Sequence, residues 1–239
     1  MNEQTKQDVI ETIKSYLPDS AKILLLSLSG SRAFGWGLTN QDYDIHGIFA
    51  CENYWDYVHA GKHMFDINLY EFHHTLSDIN YQHFEAFMNW SNPIFVANGF
   101  DYEGLMSFCT LEGVKGKCGD IDTQINRFNY DKAARTALHT YRILMVPIHF
   151  IDTKKFVLDI FELNKSYNFT ELEKLKQVYN THSRQFNIEQ VKTDIDYLLN
   201  LYKQKISDCT IKVDTEKAKT WFNTQISLNF TVPKNSNEI

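Results

Sequence analysis

Two aspartates two residues apart, Asp42 and Asp44, stand at the head of an apolar run from Ile45 to Ala50. If they open a strand, its two-residue period turns both carboxylates to one face. Carboxylates held side by side repel each other unless a cation sits between them. A pair of Mg2+ ions about 3.5–4 Å apart resolves that repulsion and suits in-line phosphoryl chemistry. A third carboxylate is available in Asp66, in the middle of the apolar run Met64 to Phe72, where an unpaired charge is costly. Phe65, Ile67 and Leu69 fall on one side of that run, and Asp66, Asn68 and Tyr70 on the other. Glu71, near the end of the run, competes with Asp66 for the third position.

A second group of residues suits phosphate. The apolar run Ile23 to Leu28 ends in Ser29-Gly30-Ser31-Arg32. Gly30, without a Cβ, lets the chain bend sharply and a ligand approach closely. Ser31 suits the N-cap of the short helix expected next. N–H groups left open at such a bend make an anion site fit for a triphosphate. Arg32 adjoins them as a further nucleotide-binding candidate. Farther on, a long helix is expected from Asp120 to Phe150, kinked or ended by Pro147. Lys132, Arg135, His139 and Arg142 are spaced by threes and fours, which aligns them on one helical face. Lys132 and Arg142 are the expected phosphate contacts; His139 is open, and Arg135 is read as part of the solvated face.

The order of these pieces resembles a known signature. Gly-Ser, a short spacer and Asp-x-Asp look like the DNA polymerase β-like nucleotidyltransferase superfamily. The string GSRAFG…DYDIHGIF is similar to one branch in particular, the predicted nucleotidyltransferases that include the RNA-ligase-associated polymerase-like proteins. Tyr70-Glu71 after Asp66, Asn92-Pro93, Lys132 and His139-x-x-Arg142 extend the likeness. Gln41 and His46 depart from it, standing where the branch usually has Ser and Arg.

The resemblance implies transfer of a nucleoside monophosphate from an NTP, with ATP the expected nucleotide, to a hydroxyl acceptor. Pyrophosphate is released. Asp42, Asp44 and Asp66 would bind two Mg2+ ions, with Asp66 also the candidate base and Glu71 in an orienting role. Gly30, Ser31, Arg32, Lys132 and Arg142 would hold the nucleotide. An RNA end, tRNA included, is the favoured acceptor. A protein or small-molecule hydroxyl is the alternative, as is a non-catalytic nucleotide-binding or partner-binding module. A hydrolase built on the same carboxylates is a third possibility.

Composition bounds these expectations. The 239 residues are 43% hydrophobic and carry a net charge of −6, enough for a real core and unlike a protein that coats nucleic acid by bulk charge. A local basic channel is compatible with that sum. The opening MNEQTKQ lacks the apolar stretch of a leader, and no run reaches the length of a membrane span. The four cysteines show no CxxC spacing and are read as reduced, in a cytoplasmic protein.

The elements that must position the site follow from periodicity. A helix is expected over Glu3 to Leu17, strands over Ile23 to Leu28, Ile45 to Ala50 and Met64 to Phe72, and a helix over Thr75 to Trp90. Cys51 to Gly61 reads as an aromatic loop with Tyr54, Trp55 and Tyr57; such rings can stack on a base but more often cover a sheet end. Pro93 suits the first turn of a following helix, and Gly113 to Gly119 an exposed loop with Lys115 and Lys117. Helices are expected over Lys154 to Leu163, Thr170 to Tyr179 and Ile188 to Ile206, then a strand-like Thr210 to Val213 and a polar tail from Pro233. The fold class is α/β (α+β): a small mixed-sheet catalytic core over residues 1–100, with a mainly helical region over 101–239 closing the nucleotide cleft.

Overall fold

The structure, a computed structural model, describes residues 1–38, 41–51, 57–62, 64–116, 118–181, 185–207 and 212–229. It divides into two units. The first comprises Met1–Ser29, Gln41–Cys109 and Val213–Ile239, and the second Gly30–Asn40 and Thr110–Lys212. A single boundary near residue 100 is therefore replaced by a chain that crosses between the units four times.

The first unit is built on a five-stranded mixed sheet. Its strands are β1 (Lys22–Leu28), β2 (Tyr43–Ala50), β3 (Tyr57–Lys62), β4 (Phe65–Glu71) and β5 (Pro93–Val96), in the order β3-β4-β2-β1-β5. β2 and β4 are parallel, and the other neighbours antiparallel. Strand alternation sends Leu26, Ile45, Phe49, Ile67 and Leu69 to one face, with Val58 and Ala60 beside them. That face packs on helix α1 (Glu3–Lys14) through Val9 and Ile13, both fully buried. Asn2 starts α1 by accepting from the Thr5 N–H at 2.8 Å. Gly47 is required in β2: a Cβ there would lie 2.5 Å from the Leu25 carbonyl oxygen.

β3 stands where an aromatic loop was expected. The signal was present in Val58 and Ala60, which alternate onto the buried face. Tyr54 and Trp55 lie outside the described residues. Pro93 belongs to β5 rather than to a helix; it lies at the sheet edge, where a missing N–H is tolerated. The helix expected over Thr75 to Trp90 is two, α3 (Phe72–Asn80) and α4 (Phe84–Trp90). They part at Gln82, whose φ is +53 and whose buried side-chain amide donates to the carbonyls of Ile79 and Phe108. Helix α5 (Tyr102–Ser107) follows.

The chain returns to this unit through helix α12 (Thr215–Asn229). Phe222 stacks on Phe72 with ring centroids 4.7 Å apart and planes 6° off parallel. The Trp221 indole N–H donates to Asp101 at 3.0 Å, and the Asp101 N–H to Gln225 at 3.0 Å. Of the strand-like stretch Thr210 to Val213, Thr210 and Ile211 lie outside the described residues, and Lys212 and Val213 are not in a strand; the tail from Pro233 also lies outside the described residues.

The second unit is helical. After α2 (Gly30–Ala33) it holds α6 (Leu111–Gly116), α7 (Cys118–Asp131), α8 (Ala134–Thr153), α9 (Ile160–Asn164), α10 (Thr170–Thr181) and α11 (Ile188–Ile206). Helix α8 is central, with Leu138, Tyr141, Leu144 and Met145 fully buried and α7, α10 and α11 around it. The Tyr141 hydroxyl donates to Asp194 of α11 at 2.7 Å. The exposed loop expected at Gly113 to Gly119 is instead α6 and the start of α7, with Gly113 and Val114 buried; Lys115 is exposed, and Lys117 lies outside the described residues. The single helix expected from Asp120 to Phe150 breaks at Lys132, whose φ is +48. Pro147 lies inside α8 and does not end it. The packing of a helix buried on most sides outweighs the one hydrogen bond that proline removes. The helix expected from Lys154 is shorter, because Lys154 takes a left-handed conformation that closes α8 and α9 begins only at Ile160.

Candidate active site

In the first unit, the parallel pairing of β2 with β4 sets Asp44 opposite Asp66, His46 opposite Asn68 and Ile48 opposite Tyr70. β3 adds Tyr57 opposite Tyr70, His59 opposite Asn68 and Gly61 opposite Asp66. Paired residues point the same way, so Asp44, His46, Asp66, Asn68, His59, Tyr57 and Tyr70 share the face opposite the α1 core. Adjacent strands run about 4.7–4.9 Å apart, which makes Asp44 and Asp66 immediate neighbours. Asp42 is exposed and immediately precedes β2, two residues from the half-buried Asp44. The Asp66 side chain is 45% exposed.

Among the described residues, no group of three His, Cys, Asp and Glu side chains is drawn closely enough together to hold a metal ion by itself. Mg2+ does not require one. It keeps several waters and is commonly held by one or two carboxylates together with substrate phosphates. Two carboxylates paired in register on a partly open sheet face, with a third in the residue just before β2, are hard oxygen donors of that kind.

The surroundings of Asp66 were not foreseen in the sequence. Its Oδ1 accepts from the Asn68 amide at 3.4 Å and lies 3.6 Å from His59 Nδ1. The Asn68 carbonyl oxygen in turn accepts from the Tyr57 hydroxyl and lies 3.1 Å from His59 Nδ1. The Tyr57 phenol is pushed up, first by burial and then by the Asp66 charge. On β2, burial pushes the His46 imidazole below its ordinary value, against the opposing pull of Asp66 and Glu85.

Glu71, the competitor of Asp66, alternates to the other side of β4 and is fully buried. It caps α3: its Oε2 accepts from the His73 N–H at 2.7 Å and lies 2.8 Å from the His73 ring nitrogen. The end of β1 is clipped from the other direction. Ser29 donates to Asn89 at 2.8 Å, its N–H donates to the Asp44 carbonyl at 2.8 Å, and Ser27 donates to the Trp90 carbonyl at 2.9 Å.

In the second unit, Gly30 takes φ +63, a conformation that favours glycine. Ser31, expected as the N-cap of α2, is its second residue, and its carbonyl accepts from Trp36 at 3.1 Å and Gly37 at 2.8 Å. Gly30, Ser31 and Arg32 are half-buried. The following residues are anchored on the helices: Phe34 and Trp36 are buried, and the Phe34 carbonyl accepts from the Ile160 N–H at 3.3 Å. The Arg142 guanidinium lies 4.6 Å from the centre of the Phe34 ring, and His139 meets Trp36 edge-on at 5.4 Å. A cation over a ring in this way contributes about 0.5–2 kcal/mol. The expected basic stripe is divided. Arg135, His139 and Arg142 lie on α8, whereas Lys132 is exposed in the break before it, and Arg135 is exposed.

Cys51 and Cys109 are buried thiols rather than disulfide halves. Among the described residues, no helix is long and apolar enough to cross a membrane. Compared with known proteins, the chain matches no family model, and no curated protein matches it.

Proposed function

We propose that the protein is a Mg2+-dependent nucleotidyltransferase that moves a nucleoside monophosphate from an NTP, ATP foremost, to a hydroxyl on an RNA end. The observation that carries this reading is the in-register pairing of Asp44 with Asp66 on adjacent parallel strands, with Asp42 just upstream. The motif order of Gly30-Ser31 followed by Asp42-x-Asp44 supports it.

Asp42, Asp44 and Asp66 would hold the metal, which when bound supplies charge neutralisation at the phosphates. Asp66, 45% exposed, is assigned the proton of the attacking hydroxyl. The acceptor oxygen bonds to the α-phosphorus as the bond from that phosphorus to the bridging β-phosphate oxygen breaks, and pyrophosphate leaves with the electron pair. Asn68, donating to Asp66 Oδ1, holds that carboxylate in place. Gly30 and Ser31 are assigned to hold the β- and γ-phosphates through N–H and hydroxyl groups, with Arg32 beside them, and Lys132 and Arg142 to neutralise the charge that grows there.

The test is incubation with each α-labelled NTP and Mg2+, with and without total RNA. Label is expected in RNA. Asp42→Asn and Asp44→Asn should each lower transfer by about 100-fold or more while the circular dichroism spectrum is kept. Full transfer by either variant would sink the assignment. Label in protein would move the acceptor to a protein hydroxyl, and NTP loss without label transfer would indicate a hydrolase.

A further inference from the structure

The sheet face that carries Asp66 continues past it into a row of rings. Tyr57 and His59 on β3 and Tyr70 on β4 all lie on that face, as their pairing with Tyr70, Asn68 and Tyr57 requires. The Tyr57 and His59 rings are near parallel, 16° apart in plane with centroids 6.5 Å apart. Tyr70 leans against Tyr57 at 5.1 Å. Tyr57 is 39% exposed, and the His59 side chain 59%. These are flat, accessible surfaces, held in orientation by the bonds from Tyr57 and His59 to the Asn68 side chain.

We propose that Tyr57, His59 and Tyr70 form a stacking platform for the terminal unpaired nucleotide of a single-stranded RNA acceptor. The proposal rests on the transferase reading and specifies its acceptor subsite. Strand order supplies the argument. In the order β3-β4-β2, Tyr57 and His59 lie on β3, the side of Asp66 away from Asp44, and Tyr70 lies on β4 itself, four residues beyond Asp66. A molecule seated on it brings its end to the carboxylate that accepts the hydroxyl proton, and leaves the Asp44 side for the nucleotide. The face also excludes the usual mode of nucleic-acid binding. Of the described residues that β2, β3 and β4 place on it, Asp44, His46 and Ile48, Tyr57 and His59, and Asp66, Asn68 and Tyr70, none is Lys or Arg. Binding must come from stacking, which tolerates any base, and not from phosphate contacts. A short single-stranded contact of this kind is also what a net charge of −6 permits.

The experiment is fluorescence anisotropy with a 5′-fluorescein oligoadenylate RNA and no NTP. Tyr57→Ala and Tyr70→Ala should each weaken binding about 5-fold or more, while Tyr57→Phe, which keeps the ring but loses its bond to Asn68, weakens it less than Tyr57→Ala does. Binding should change little between about 50 and 200 mM salt, because few counterions are released. Asp66→Asn should bind the oligonucleotide and fail to extend it. The platform is overturned if the wild type does not bind the oligonucleotide, if Tyr57→Ala binds as well as wild type, or if blunt duplex RNA binds as tightly. The two readings separate cleanly. Ring-dependent binding without nucleotide transfer keeps the platform and removes the transferase. Transfer whose KM for RNA is unchanged in Tyr57→Ala keeps the transferase and removes the platform.

Discussion

Replacing Asp66 by Asn should stabilise the metal-free protein and remove most of its response to Mg2+. The structure sets the size of the effect. Asp44 and Asp66 are register partners on adjacent strands, which sets their Cβ atoms about 5 Å apart, and the charges are taken at that spacing. Two like charges at that distance repel by about 0.8 kcal/mol in water and about 3 kcal/mol at an effective dielectric near 20. Asp66 is 45% exposed, which draws the value toward the lower end, about 1 kcal/mol. For a chain of this length that is about 2–4 °C in melting temperature. His59 Nδ1 lies 3.6 Å from Asp66 Oδ1, so His59→Gln serves as the background in which the same comparison is repeated. In EDTA, Asp66→Asn should melt higher than wild type by that amount. Mg2+ at about 100 times its dissociation constant should then raise the wild type by about 2.7 kcal/mol. The variant, with one carboxylate of the facing pair removed, should gain less than half as much. Thermal denaturation of both proteins, with EDTA and with Mg2+, reads all four values. A variant that melts lower in EDTA, or that gains as much from Mg2+ as wild type, would refute the facing-carboxylate argument.

Gly47→Ala should destabilise the first unit by about 1–3 kcal/mol, because its Cβ would meet the Leu25 carbonyl at 2.5 Å and the side chains of Leu26 and Leu69 at 2.8 Å; urea denaturation measures it, and an unchanged midpoint would show that β1 and β2 yield freely. The acid limb of stability should depend on His46. Its imidazole is held below the ordinary 6.5 by burial, so the unfolded chain binds the extra proton first as the pH falls. Its contribution is complete above 6.5 and is lost as the pH drops toward the lowered folded value. In EDTA, His46→Gln should therefore flatten the fall in melting temperature below that pH, and an acid limb identical to wild type would discard the argument.

Much of the site was visible locally. The alternation in Met64 to Phe72 placed Asp66 opposite the buried side chains, and the structure keeps that placement in β4, with Glu71 turned to the other face. The buried run of β1, the glycine bend after it and the aspartates at the head of β2 also appear where their residue types put them. Side-chain type did not identify β3. Tyr54, Trp55 and Tyr57 dominate the stretch from Cys51 to Gly61, and only the alternating Val58 and Ala60 mark its second half as a half-buried strand. Nor did helical spacing show the break at Lys132, since a left-handed residue leaves no trace in hydrophobic period.

Periodicity is written by neighbours, so the sequence alone determined which residues of β4 lie on which side of the strand. Which strand lies beside which is decided by contacts between residues far apart in the chain. Asp44 faces Asp66 only because β2 and β4 pair in parallel, and the rings reach that face only because β3 folds back along β4. The same holds for residues 30–38, tied to the helical unit by Phe34, Arg142 and Ile160, and for α12, drawn back to the first unit by Phe222 on Phe72 and Trp221 on Asp101. Each of these contacts closes a loop whose entropic cost is recovered only when the distant partner is buried, and no local pattern encodes that partner.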